Sequence, residues 1–287
     1  MNIYQVEPDY CDEAIIKPQK LERIEISNNR YYKHPETSKL CSSVTTVLHK
    51  MMPTSPFLLK WYADLGMEKA KQIMNEKAKY GTLMHCLFTQ YLLTKQVNFL
   101  IDLDNYCEFN KIDITKINTY ELKKDLLSFI QFVKDKNVIP IAIEYPTINE
   151  YFAGTIDLIC ELDFNGKRVT AIVDYKSGKN GFFDSHRVQL HAYKNLLEQT
   201  TDISVQMVFN FAPKDWRVTS ELKPTYNLEN QSDILYTKQW FLYGELYLLE
   251  LQKEKSNSIS DITISDLITD DFNGLLTVST YEVSNGL

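Results

Sequence analysis

What this chain of 287 residues lacks narrows its class before any motif is read. No apolar run approaches the ~20 residues needed to cross a bilayer. The five cysteines (Cys11, Cys41, Cys86, Cys107, Cys160) are dispersed, with no CxxC pair, so they read as reduced thiols and not as a disulfide framework. A Gly-rich phosphate loop of the GxxxxGK type is absent, which leaves nucleotide hydrolysis unsupported. No Pro/Gly/Ser-rich linker divides the chain, so 1–287 reads as one elaborated domain. Basic charge is in deficit: 31 Lys and Arg against 38 Asp and Glu give a net charge of −7. That weighs mildly against a nucleic-acid partner, which usually meets a basic surface. The opening MNIYQVEPDYCDEAII carries neither the basic and apolar regions of a signal peptide nor a transit peptide's arginines, so a cytoplasmic setting is expected.

What is present is concentrated in two apolar runs. YFAGTIDLICEL and VTAIVD are joined through the turn-like DFNGK, and each run carries an acid, Asp157 and Asp174. Lys176 stands two places after Asp174, and alternation along a strand points both to one side. Asp157 can join them from the neighbouring strand. Carboxylates hold a hard divalent cation through oxygen, and a nearby ammonium can offset charge developing at phosphorus. Acid-x-Lys also occurs at Glu121–Lys123 and Glu221–Lys223, but only Asp174 ends an apolar, β-branched run with a matching partner. Among other outcomes, a hairpin with solvated charges at its ends would look similar.

The flanking segments add further residues. KYGTLMHCLFTQYLL reads as a helix with His85 in its first turns, and VIPIAIEYPTI as a strand carrying Glu144. SHRVQLHAYKNLLEQ reads as a helix with Val188, Ala192, Leu196 and Leu197 on one face. Gln189 and Tyr193, four apart, share a second face. The order is therefore helix with His, strand with Glu, strand with Asp, strand with Asp-x-Lys, helix with Gln-x-x-x-Tyr.

This ordered set resembles the PD-(D/E)XK nuclease superfamily, in its RecB-like, histidine-containing branch. The resemblance rests on Gly81-Thr82 with His85, Glu144, Gly154-Thr155 with Asp157, Asp174-Tyr175-Lys176, and Gln189 with Tyr193. Ser43-Val44-Thr45-Thr46-Val47-Leu48 is similar to the leading helix of mitochondrial genome maintenance exonucleases and phage recombination exonucleases. Together these cover about residues 25–215. The resemblance implies an α/β, restriction-endonuclease-like mixed sheet flanked by helices, with an additional N-terminal helical region. It also implies a Mg²⁺- or Mn²⁺-dependent DNA exonuclease of bacterial or phage recombination, repair or processing. A flap- or branch-cutting endonuclease and a non-cleaving DNA-binding protein remain open alternatives.

The same resemblance implies roles. His85, Asp157, Asp174, Glu144 and the Tyr175 carbonyl would hold metal, with Lys176, Gln189 and Tyr193 acting beside them. Ser177, Lys179, Arg187, Thr45 and Thr46 would meet DNA. Several relatives close an iron–sulfur cluster with cysteines after the core, but no cysteine follows Cys160 here, so no such cluster is expected. Expected partners are DNA, a single-strand annealing or other recombination protein, and further copies of the chain, with no membrane.

The organisation expected is an entry and hairpin over 1–42 (LERIEIS–NNRYYKH, turning at Asn28-Asn29) and a helical region over 43–136. The catalytic core would span 137–215, and a C-terminal helix and tail 216–287. Within these, FLLKWYADLGMEKAKQIMNEKAK reads as one helix, 97–118 as a loop-rich insertion, VQMVFNFA as a strand and LLTVSTYEV as an edge strand.

Overall fold

The computed structural model describes residues 15–16, 21–27, 29–178, 181–213 and 224–257, with side chains through 253. Its strands are β1 (Arg23–Ile26), β2 (Asn29–Lys33), β3 (Leu40–Ser43), β4 (Ile139–Ile148), β5 (Phe152–Phe164), β6 (Lys167–Tyr175), β7 (Met207–Ala212) and β8 (Asn227–Asn230). Its helices are α1 (Val44–Met51), α2 (Pro56–Leu65), α3 (Met67–Thr94), α4 (Phe99–Phe109), α5 (Thr119–Asp135), α6 (Asp184–Thr200) and α7 (Ile234–Asn257).

The strands form one mixed sheet in the order β1-β2-β3-β5-β6-β7-β8, with β4 antiparallel on the other edge of β5. The β3–β5 and β6–β7 pairs are parallel and the remaining pairs antiparallel. β3 meets β5 at Phe152–Ala153, while β6 meets it only from Leu158 onward. Both lie opposite β4, so the edge of β5 between them, Gly154–Asp157, is left for other groups. This opening is where the candidate site lies.

Period-two alternation sorts the apolar side chains into two layers. Leu158, Cys160, Val173, Phe209 and Phe211 face α3 and α5, meeting Leu83, Leu87, Phe88, Phe129 and Phe132. Ile156, Ile159, Ile172 and Val208 face α1, α6 and α7, meeting Val47, Val188, Leu196, Trp240 and Tyr247. The α6 face read from periodicity is the buried one. Among the described residues no helix is long and apolar enough to cross a membrane.

Several boundaries differ from the sequence reading. The segment FLLKWYADLGMEKAKQ breaks at Gly66, whose φ of 79° lies in the left-handed region that glycine tolerates, separating α2 from α3. Helix α3 then runs unbroken through Gly81 for 28 residues, placing His85 in its C-terminal half and not in its first turns. Burial of Tyr80, Leu83, Met84, Leu87 and Phe88 around that glycine outweighs its ~1 kcal/mol helix penalty. Residues 97–118 are not loop-rich: Leu103, Tyr106 and Cys107 bury one side of α4 at helical spacing. The sheet also exceeds 137–215, since β1–β3 extend it at one end and β8 at the other. The hairpin forms, but with Ile26 opposite Asn29, so Asn29 begins β2 and is not a turn residue as expected. Asn28, Lys179, Lys223 and the LLTVSTYEV segment lie outside the described residues.

Candidate metal centre

Glu144 and Asp157 face each other across β4 and β5 at a paired irregularity. In β4, Ala142 and Tyr145 reach the same layer although they are three apart; in β5, Ile156 and Ile159 do likewise. Regular alternation would separate each pair, so one residue per strand is out of phase, and those residues fall at the two acids. Glu144 takes φ of 47°, a left-handed conformation unusual for a side-chain-bearing residue and enriched where strain serves a site. Both carboxylates thereby turn out of the pleat toward His85, which descends from α3.

The three side chains converge. His85 Nδ1 stands 3.1 Å from Glu144 Oε1 and 3.6 Å from Asp157 Oδ1. One ligand atom from each of the three lies within 4.8 Å of the others. Around an octahedral cation with bonds of ~2.1 Å, neighbouring donors stand ~3 Å apart and opposite donors ~4.2 Å. The triad thus fits one divalent ion with little closure. Asp157 is fixed in addition by the Tyr175 N–H, which donates to its Oδ2 at 2.7 Å.

Asp174 stands outside that triad. It is 1% exposed and projects from the end of β6 toward α6. Lys176 donates to its Oδ1 at 3.0 Å and its Oδ2 at 2.8 Å. Gln189 Nε2 donates to Oδ1 at 3.2 Å, and Asn210 Nδ2 to Oδ2 at 2.9 Å. Gln189 also accepts from Lys176 Nζ at 3.2 Å and donates to the Tyr193 hydroxyl at 2.9 Å. The Asp174–Lys176 pairing expected from alternation is present, and the shared face of Gln189 and Tyr193 is what brings both into this network. Asn210 was not singled out from the sequence. Its signal is a lone amide inside the apolar run MVFNFA, on the strand parallel to β6 and in register with Asp174.

The two groups of side chains are electrically linked. Burial opposes charge on His85, yet the carboxylates of Asp157 and Glu144, with Asp174 behind them, outweigh it and lift the imidazole to about 9. Burial also raises Asp157, against the pull of the nearby His85 and Lys176 charges. Asp174 is pushed up to about 6, by burial first, with Lys176 opposing and Asp157 adding repulsion. Without metal, His85 serves as the counter-charge for the acids.

The remaining expected residues are placed differently. The Tyr175 ring turns away from Asp174 into the aromatic cluster of Phe88, Phe129 and Phe211. Thr46 is buried, and its hydroxyl donates to the Arg30 carbonyl, tying α1 to β2; Thr45 is exposed beside the cap residue Ser43. Ser177 lies against Gly81 of α3. Arg187 pairs with Asp184 at 2.8 Å and reaches Glu229 at 3.9 Å, at the corner between α6 and β8. Gly154 answers a close approach: a Cβ there would stand 2.5 Å from Tyr193 Cε1, so the absent side chain is what lets the ring lie on β5.

No family model matches this chain, and none of the curated proteins searched matches it. The class is therefore carried by the site itself: a mixed α/β sheet with a His/Glu/Asp triad able to hold a metal ion, beside a buried Asp174 paired with a half-buried Lys176.

Proposed function

We propose that this chain is a Mg²⁺- or Mn²⁺-dependent deoxyribonuclease with a restriction-endonuclease-like fold, acting on DNA as an exonuclease in phage or bacterial recombination, repair or processing. The observation that carries this reading is the convergence of His85, Glu144 and Asp157 next to Lys176 at the open edge of β5. A metal-binding acid cluster with an ammonium alongside is the equipment that phosphodiester hydrolysis needs.

His85, Glu144 and Asp157 would hold the ion, with Asp174 and the Tyr175 carbonyl as the further ligands that the family resemblance implies. When bound, the ion supplies Lewis acidity toward the phosphate and lowers the pKa of water. Lys176 is the donor aimed at charge developing on a phosphate oxygen. Gln189 holds Lys176 and Asp174 together and so limits how far either can turn. Tyr193, locked over Gly154, fixes Gln189 in its turn. Asn210 anchors Asp174 from below, so that the acid keeps its place if Lys176 turns to substrate.

The test is hydrolysis of end-labelled linear DNA beside closed single-stranded circles, with Mg²⁺, with Mn²⁺ and after exhaustive chelation. Linear DNA should shorten progressively with either ion, circles should persist, and chelation should stop the reaction. Cutting of circles as fast as linear strands would favour the endonuclease alternative. Hydrolysis that survives chelation would overturn the metal reading.

A further inference from the structure

Helix α7 is apolar on nearly every side. Trp240 and Tyr247 are 2% exposed and pack toward α6 and α1, as such residues should. The opposite side carries Ile234 (66% exposed), Leu235 (51%), Phe241 (48%), Leu242 (66%), Leu246 (45%) and Leu249 (54%). A helix apolar all round is ordinarily covered all round. The exposed residues are also ordered. Leu235, Leu242 and Leu249 recur every seven residues, and Leu246 falls four after Leu242, the spacing of a coiled-coil seam. Lys238 and Glu245 flank that seam one heptad apart. Both are exposed, and neither has an ion-pair partner among the described residues.

We propose that this face of α7 is a dimer interface, in which the α7 helices of two copies of this chain pack antiparallel about a two-fold axis. Opposite charges at the same flanking position select that arrangement. When Leu235 of one copy lies against Leu246 of the other, Lys238 falls beside the second copy's Glu245, and symmetry makes the pair twice. A parallel pairing would instead set Glu245 beside the second copy's Glu250, two like charges. Six half-exposed large side chains withdraw roughly 600 Å² per copy, near the ~800 Å² per partner of standard stable interfaces. Helix α7 contributes no residue to the candidate metal centre, so association and metal binding can be tested separately.

The experiment is sedimentation velocity on the full chain at roughly 0.5–50 μM, on wild type, Leu242→Glu, Lys238→Glu, Glu245→Lys and the double swap. Wild type should be a dimer and Leu242→Glu a monomer with an unchanged circular dichroism spectrum. Each single charge swap should raise the dimer dissociation constant about tenfold, since two pairs become repulsive together, and the double swap should restore it. A monomeric wild type at the highest concentration overturns the proposal. If Leu242→Glu also lowers the melting temperature of such a monomer, the face is covered by the chain's own C-terminal segment. A dimer untouched by Leu242→Glu, or single swaps that the double does not rescue, overturns it equally.

Discussion

Replacing Lys176 by Met removes one positive charge while nearly keeping side-chain volume, and the structure fixes how stability should respond. Asp174 is 1% exposed and holds a carboxyl pushed up to about 6, with Lys176 the main influence opposing its burial. A carboxyl whose folded-state pKa lies above its unfolded value binds its proton more tightly when folded, so it subtracts stability as pH rises through that window. Without Lys176 the value climbs further, and the folded protein keeps Asp174 protonated. The cost of that neutral state, relative to the charged wild type, is ~1.4 kcal/mol for each pH unit above about 6. The variant should therefore be nearly as stable as wild type at pH 6 and about 2–3 kcal/mol weaker at pH 8. Gln189 and Asn210 remain as donors in both proteins, so they cancel in the difference. Urea unfolding of both proteins at pH 6, 7 and 8, in metal-free buffer, measures it. A deficit that stays constant with pH, or shrinks as pH rises, refutes the assignment of Lys176 as the counter-charge of Asp174.

Two further outcomes follow from the site. Gly154→Ala places a Cβ 2.5 Å from the Tyr193 ring, which must shift, and should cost about 1–3 kcal/mol in thermal or urea unfolding; a neutral substitution would show that the ring is not held there. Because the acids raise His85 to about 9, a metal ion must displace its proton, so Mn²⁺ affinity by calorimetry should rise up to about tenfold per pH unit from 6 to 8. His85→Ala should bind Mn²⁺ more weakly and with a flatter pH dependence, since the proton to be displaced is gone, and an unchanged affinity would remove His85 from the site.

The legible part of this molecule is the part governed by simple periods. Alternation alone placed Asp174 and Lys176 on one side of β6, and the i, i+4 spacing alone put Gln189 and Tyr193 on one face of α6. The convergence of Glu144 with Asp157 was implied by the family resemblance but not legible from periodicity, because it depends on an irregularity in each strand and on a positive φ at a glutamate, for which no residue type is a signal. The segment before Gly81 read as a separate helix from the one carrying His85, since the glycine's low propensity is visible in sequence and the tertiary packing of Leu83 and Phe88 that overrides it is not. In α4, the Asp and Asn residues between Leu103, Tyr106 and Cys107 hid a helical stripe only three residues wide. Asn210 escaped notice because its meaning comes from register with Asp174 across a parallel pair, a relation formed only on folding.

The most direct measurement of the central claim is single-turnover hydrolysis of end-labelled linear DNA by wild type and Lys176→Ala, beside DNA binding measured in Ca²⁺. The account predicts Mg²⁺- or Mn²⁺-dependent cleavage by wild type and a loss of about 10²–10³-fold in the variant, the range for removing one transition-state donor. Binding should change far less, since many phosphate contacts share it. Cleavage by Lys176→Ala at near the wild-type rate, or a defect wholly explained by lost binding, would contradict it.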